Sequence, residues 1–456
     1  MFDLLTKMDN TSSMLLEKTL GPRVMFYLVF PSEATYQHVN DVPKYTQLAI
    51  PHFLAMMFIE AIILYAQNKK IPPVDDTINS MTHALLLFVF QILVLPIGVL
   101  SYSWVYRNYC VYELPWDSPW TWWIAAITVD CGYYWFHRMA HEINLFWASH
   151  QTHHSSEQYN LSTALRQSTV QQFTSWPFYL PLALFVPPSI FLIHRQLNLL
   201  YQFWIHTEVV STLGPLEWIL NTPSHHRVHH GRNPYCIDKN YAGMLIIWDR
   251  MFGTFQPEQD RVVYGLVHPN NYWNPLRGQY GGYWELLKRF CQTEGMRNKL
   301  CVLFMGPGWS PGKPRLGDGV PEVEYDPSQC YHKPTPRWLE VYCFIHFFLI
   351  LYTMQVLSGR KNELLVAPLL LYCVLSLTNI GLLFDHHPFS PMGEVLRSSF
   401  VICLDLVTMG TTSTDLMGGV GVWILRGSMI MSSCIWLMLI IKLICSNNNN
   451  KEYKKL

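Results

Sequence analysis

Eight histidines in this chain fall into three short patterns: His137-x-x-x-His141, His150-x-x-His153-His154 and His226-x-x-His229-His230. On an α-helix, positions i, i+3 and i+4 share one face, so each pattern aims its imidazoles at one point, as a metal ion requires of its ligands. With 19 histidines in 456 residues, an H-x-x-x-H pair is expected by chance roughly once and carries little alone. An H-x-x-H-H triplet is expected only about 0.03 times, so two copies are a strong signal. Eight imidazoles are too many for one ion, and two ions sharing them is the simplest arithmetic. Neutral imidazole suits iron, zinc, copper and nickel alike, so ligand type alone does not name the metal.

Around these patterns stand weaker candidates. His206 follows an apolar segment and is either a further ligand or an interfacial histidine. His225, beside His226, is either a ligand or an outer-shell donor. Asp130 lies on the helical face of His137 near mid-bilayer depth, where a carboxylate is costly. It either orients a ligand, lines the substrate path or pairs with a basic side chain. Glu142 follows His141 and is placed to act as an outer-shell acceptor. The sequence after it, I-N-L, lacks the second histidine of a zinc-protease helix, which removes a metalloprotease reading. His52, His83, His194, His346, His386 and His387 lack the pattern and are read as structural.

The elements that position these residues are apolar runs of membrane length. They cover 48–66, 84–105, 338–357, 364–384, 400–409 and 428–445, with the proline-interrupted stretch 173–193 and a further run at 197–206. Prolines 177, 181, 187 and 188 allow the interrupted stretch to be either a broken hairpin or two straight spans. Ser118-Pro119 is a good helix start. At about 1.5 Å per residue, His137 lies roughly 27 Å along that helix, nearly one hydrocarbon thickness away. The tryptophans at 116, 120, 122 and 123 fit an interfacial belt at its beginning.

The expected fold is therefore all-α: a polytopic integral membrane protein with eight or nine transmembrane helices and a histidine-rich metal lobe. Residues 1–43 form an extramembrane segment bearing the sequon Asn10-Thr11-Ser12. Residues 44–336 form the membrane and catalytic region, with its core at 120–255. Residues 337–446 return to the membrane, and 447–456 are a basic polar tail. The stretch 207–336 has no spanning run and is rich in Arg and Lys, which places it, with the histidines, on the cytosolic face. Half the residues are apolar, 14% are charged and the formal charge is zero, which excludes a nucleic-acid partner. Eleven cysteines without a C-x-x-C pair read as small hydrophobes rather than a disulfide framework. No cleaved signal peptide is expected at the N-terminus.

The longer text F-H-R-M-A-H-E-I-N from Phe136, W-A-S-H-Q-T-H-H-S-S-E from Trp147, and N-T-P-S-H-H-R-V-H-H-G-R-N from Asn221 resembles the membrane fatty acid hydroxylase superfamily. Within it, the wording is similar to the branch that cleaves glyceryl ethers. That resemblance implies ligand roles for His137, His141, His150, His153, His154, His226, His229 and His230. It also implies a di-iron centre, tetrahydrobiopterin as electron donor and residence in the endoplasmic reticulum membrane. The implied reaction uses O2 to hydroxylate the ether-linked carbon of an alkylglycerol or lyso ether lipid. The hemiacetal then breaks down to a fatty aldehyde and a glycerol derivative. A sterol or sphingolipid hydroxylase or desaturase, fed by NAD(P)H through cytochrome b5, is the alternative within the superfamily. A metal transporter or sensor is the alternative outside it, although transport favours histidines spread across membrane depth and these gather at one end.

Overall fold

Proline and carboxylates set most of the helix starts in the computed structural model, which describes residues 21–324, 326, 330–358, 363–409 and 420–453. The sequon at Asn10 and the final three residues lie outside the described residues. Helix α1 (Ile50–Ala66) has Pro51 in its first turn, where a missing amide hydrogen is harmless. Helix α2 (Val74–Tyr109) follows Pro73 and carries Asp75 and Asp76 in its first turn, matching the positive end of the helix dipole. Helix α3 (Pro119–Glu142) begins at Pro119 behind an extended Ser118, as the Ser-Pro pair predicts. A break at Ile143 separates it from the short α4 (Asn144–His150).

The stretch 173–193 takes the broken form. A five-residue helix, Gln171–Ser175, is followed by 3-10 turns at Trp176–Phe178 and Leu180–Leu184 before α5 (Pro188–Trp204) begins. Pro177 and Pro181 each remove a backbone donor and so end regular helix locally. Helix α5 packs on α3. Its buried Ile190, Ile193, Leu197 and Leu200 join Trp122, Ala125, Ala126 and Val129 in the main core. Ile193→Val is expected to cost about 0.5–1.5 kcal/mol, measured as a fall in thermal midpoint of the detergent-solubilised protein.

The chain then forms α6 (Pro223–His230), α7 (Ile247–Phe252), α8 (Pro275–Gln292) and α9 (Met296–Phe304). Together Asn10–Asn271 and Arg277–Tyr331 make one unit. A second unit comprises Tyr272–Leu276 and His332–Leu456. It contains α10 (Arg337–Ser358), α11 (Glu363–Phe384), α12 (Ser390–Met409) and α13 (Val420–Tyr453). Helix α12 starts at Ser390, before the apolar run at 400, because Ser390-Pro391 supplies a helix start. It buries an ion pair in which Arg397 Nε donates to Glu394 Oε1 at 2.7 Å. Helix α13 runs on through the asparagine run to Tyr453, since no proline or glycine ends it there.

Among the described residues there is no β-sheet, only isolated bridges such as Leu220 with Leu245. Two helical stretches among them, Val39–Ala66 and Trp423–Lys442, are long and apolar enough to cross a bilayer. Of the eight or nine spans expected from apolar runs, the described residues show these two, and three other segments are interrupted locally. Proline fragments 173–193, Trp and Tyr replace aliphatic residues around Asp130 in α3, and Glu394 with Arg397 interrupts α12. Helix α1 exposes Phe58, Ile59 and Ile62 by more than half, the apolar surface that a lipid-facing helix presents.

Candidate metal centre

Three short helical pieces and the ends of two longer helices deliver the histidines. Helix α3 places His137 and His141 one turn apart on one face. Helix α4 ends on His150, and the 3-10 turn His153–Ser155 adds His153 and His154. Helix α6 brings His226, His229 and His230. His206 lies just beyond α5, where its backbone amide donates to the Phe203 carbonyl at 3.3 Å. The outcome is two groups of ring nitrogens. Those of His137, His141, His150, His154 and His229 lie within 4.8 Å of one another, and those of His153, His206, His226 and His230 do the same. All nine residues are buried. The groups abut, with the His154 and His230 rings stacked at 4.3 Å.

Hydrogen bonds fix which nitrogens face inward. His137 Nδ1 lies 2.7 Å from the Tyr241 carbonyl, His206 Nδ1 2.7 Å from that of Gln202, His229 Nδ1 2.9 Å from that of Lys239, and His153 Nδ1 3.2 Å from that of Arg166. A carbonyl only accepts, so each Nδ1 carries the proton and each Nε2 is left with a bare lone pair. Burial pushes His150 down to about 4 and His229 to about 3, so these rings stay neutral at pH 7. His153 Nε2 nevertheless lies 3.3 Å from His206 Nε2 with no proton to share. His137 Nε2 faces His150 Nε2 at 2.9 Å, and the Nε2 atoms of His141, His229 and His230 are buried without a partner.

Facing lone pairs and orphaned buried nitrogens are costly unless a cation lies among them. Two nitrogens on opposite sides of an ion, each about 2.1 Å away, stand about 4.2 Å apart. The 4.8 Å spread within each group therefore needs only a few tenths of an ångström of tightening. The residues present fit two metal ions with all-imidazole donors and carbonyl-held outer nitrogens.

Three candidates lie elsewhere. Asp130, fully buried, touches neither a histidine nor a basic side chain. It accepts from Asn198 Nδ2 at 2.6 Å, the backbone amides of Met244 and Leu245 at 2.8 and 3.0 Å, and Trp248 Nε1 at 2.9 Å. It thereby ties down the segment whose Tyr241 carbonyl holds His137. Glu142 accepts from Arg138 Nε at 2.8 Å and Arg315 Nη1 at 2.7 Å, away from the imidazole nitrogens. His225 turns its ring to Phe255, at 5.3 Å between centroids, and stands in neither group. His225→Ala should therefore retain the metal content of the wild-type protein, as elemental analysis would read it.

Two contributors are absent from the sequence reading. Asp238 Oδ1 lies 3.8 Å from His141 Nδ1. Burial, with Glu142 adding to it, pushes this carboxyl up to about 6. Gln171 Oε1 is 2.8 Å from His150 Nδ1. Neither stands at a spacing that marks it, because each reaches the site from its own turn rather than from a ligand helix.

A buried, two-centred histidine cluster on short helices defines a protein of the fatty acid hydroxylase class, and the fatty acid hydroxylase family model matches residues 122–254, which hold all nine histidines. The model of the alkylglycerol monooxygenase C-terminal domain matches residues 339–418. The chain belongs to the alkylglycerol monooxygenase family. It is 48% identical to the alkylglycerol monooxygenase of Xenopus tropicalis over 86% of this chain and 89% of that protein. The Homo sapiens protein of that name is 49% identical, over 84% and 87%. That of Caenorhabditis elegans is 36% identical, over 95% and 91%. No solved structure shows a significant match.

Proposed function

We propose that this enzyme is a membrane monooxygenase that hydroxylates the ether-linked carbon of alkylglycerols and lyso ether lipids, with O2 as oxidant and tetrahydrobiopterin as electron donor. The hemiacetal so formed falls apart to a fatty aldehyde and a glycerol derivative. One observation carries the reading: nine buried, neutral imidazoles close on two adjoining points with their bare nitrogens inward. Iron is the metal that suits both this donor set and the family. Bound there, a pair of irons supplies the activation of dioxygen that C–H hydroxylation needs.

The chain's own part is to hold, orient and keep dry. His137, His141, His150, His154 and His229 hold one ion, and His153, His206, His226 and His230 the other. The carbonyls of Tyr241, Lys239, Gln202 and Arg166 keep the Nδ1 protons in place, so that each Nε2 is presented as a donor without rearrangement. Trp147 packs 5.1 Å from the His141 ring and 5.6 Å from that of His154. Tyr159 lies over His230 at 5.3 Å and is itself covered by Tyr264 at 4.8 Å. These aromatic rings limit water around the donor atoms, protecting a reactive centre from side reactions. The apolar α1 supports residence in a membrane, and the resemblance to the family supports the endoplasmic reticulum with the site on the cytosolic side.

Membranes containing the protein and an alkylglycerol, supplied in parallel with tetrahydrobiopterin or with NADPH and cytochrome b5, test the proposal. Aldehyde release is expected with the pterin. Turnover confined to the NADPH arm overturns the donor assignment, and a full complement of zinc without iron dependence overturns the redox reading.

A further inference from the structure

The lobe that carries the histidines has a surface the reaction does not use. Helix α8 exposes Tyr280, Trp284 and Leu287, and α9 exposes Met296, Leu300 and Phe304; Trp284 is 58% and Met296 68% exposed. Spacings of three and four residues put each set on one helix face. Basic side chains flank both stripes: Lys288 lies 5.5 Å from the Trp284 ring, and Lys299 lies 5.3 Å from that of Phe290. Residues 275–304 hold five basic residues, Arg277, Lys288, Arg289, Arg297 and Lys299, against two acidic ones, Glu285 and Glu294. Lys288 also pairs with exposed Glu285 at 2.8 Å, and Arg289 is held by the carbonyls of Pro307 and Trp309.

The opposite faces of these helices are bolted to the metal centre. Leu286 and Val302 pack with Ala148 of α4 and with Trp309. Asn144, at the start of α4, donates from its backbone to the Met305 carbonyl at 2.8 Å and from Nδ2 to that of Val302 at 2.9 Å. Thr152 Oγ1 donates to the Gly278 carbonyl at 3.0 Å, and the Thr169 amide to Gln279 Oε1 at 2.8 Å. Gly282 permits this approach, since a Cβ there would stand 2.5 Å from the Ala148 carbonyl oxygen.

We propose that α8 and α9 form a hairpin that lies in the plane of the membrane interface, with its apolar stripes in the headgroup–acyl boundary of an anionic leaflet. Trp, Tyr and aliphatic residues on one face with Lys and Arg beside them are the composition of an interfacial helix. Aromatic residues favour that depth, and the excess of basic residues matches anionic headgroups. A second copy of the chain would set basic flank against basic flank, and the membrane is favoured over another protein because this unit already contains the membrane-length α1. On the ether-lipid reading, the placement has a use. The ether-linked carbon of a glyceryl ether lies where the headgroup meets the chains, and a hairpin seated about 5–10 Å into that boundary would fix the histidine groups relative to it.

The test places an environment-sensitive fluorescent amino acid at position 287 or 300 of the full-length protein. A control carries it at 318, and all three are reconstituted in phosphatidylcholine–phosphatidylserine vesicles. At 287 and 300, lipid-borne nitroxide is expected to quench more strongly than aqueous iodide, with the order reversed at 318. Stronger quenching by iodide at 287 and 300 would mean that the stripes face water and overturns the proposal. Protection from both quenchers would mean that protein covers them and overturns it as well. The readout is independent of turnover, so it stands or fails apart from the substrate assignment.

Discussion

Replacing His229 by alanine is expected to remove bound iron and ether cleavage together. His229 Nε2 is one of five donors in its group and has no other partner. Its ring also lies 4.4 Å from that of His137 and 4.8 Å from those of His141 and His154, so the vacated space opens onto the other donors. Loss of an outer-shell partner typically costs 10–100-fold in metal affinity or activity, so loss of a ligand should exceed about 100-fold. His153→Ala is expected to do the same through the second group. Metal analysis and aldehyde release, measured on the same membranes, decide the matter. Normal activity in either variant would show that its group is not part of the centre.

The second large effect is expected at Asp130, which touches no histidine. Asp130→Ala leaves four donors without their acceptor: the buried Asn198 amide and the partly buried Met244 and Leu245 backbone amides and Trp248 indole. Each unsatisfied buried group costs about 1–3 kcal/mol, and because the four share one site the total is not their sum but on the order of 3–5 kcal/mol. The segment so released includes Tyr241, whose amide is held by Asp249 at 2.8 Å and whose carbonyl holds His137. Iron affinity should therefore fall about 10–100-fold along with the thermal midpoint. A protein destabilised but unchanged in iron affinity would limit Asp130 to structure. Unchanged values of both would remove it from the account.

Spacing exposed eight of the nine grouped histidines because a 3.6-residue period converts H-x-x-H-H directly into a shared face. His206 has no patterned neighbour; it joins the second group only because α5 returns to the site, and a long-range return leaves no local mark. His225 shows the opposite case, since adjacency to His226 on a helix turns its ring about 100° away. Most of the outer shell was invisible for a different reason. The atoms facing Nδ1 of His137, His153, His206 and His229 belong to the main chain, and residue identity does not announce a carbonyl's direction. The helix start at Pro119 was legible, whereas Pro177 and Pro181 left a broken hairpin and two straight spans equally open. The form of the stretch 173–193 was not legible, because an apolar run does not say whether its helix is continuous or broken into turns.

Those carbonyl acceptors also determine where the enzyme is genetically fragile. A point substitution at Lys239 changes a side chain but leaves the atom that orients the imidazole in place, so this position can vary with little loss of tuning at the ring, whereas buried Arg166 also pairs with Asp76 at 2.6 Å and Gln202 Nε2 donates to Asn198 Oδ1 at 2.7 Å. Vulnerability moves instead to residues that shape the backbone beside them. At Gly243, a Cβ would come within 2.9 Å of Asn198 Oδ1 and 3.0 Å of Asp130 Oδ1. At Asn240, the chain turns through φ 54°, a conformation most side chains resist. Inactivating changes around this centre should accordingly cluster at such inconspicuous positions as well as at the histidines.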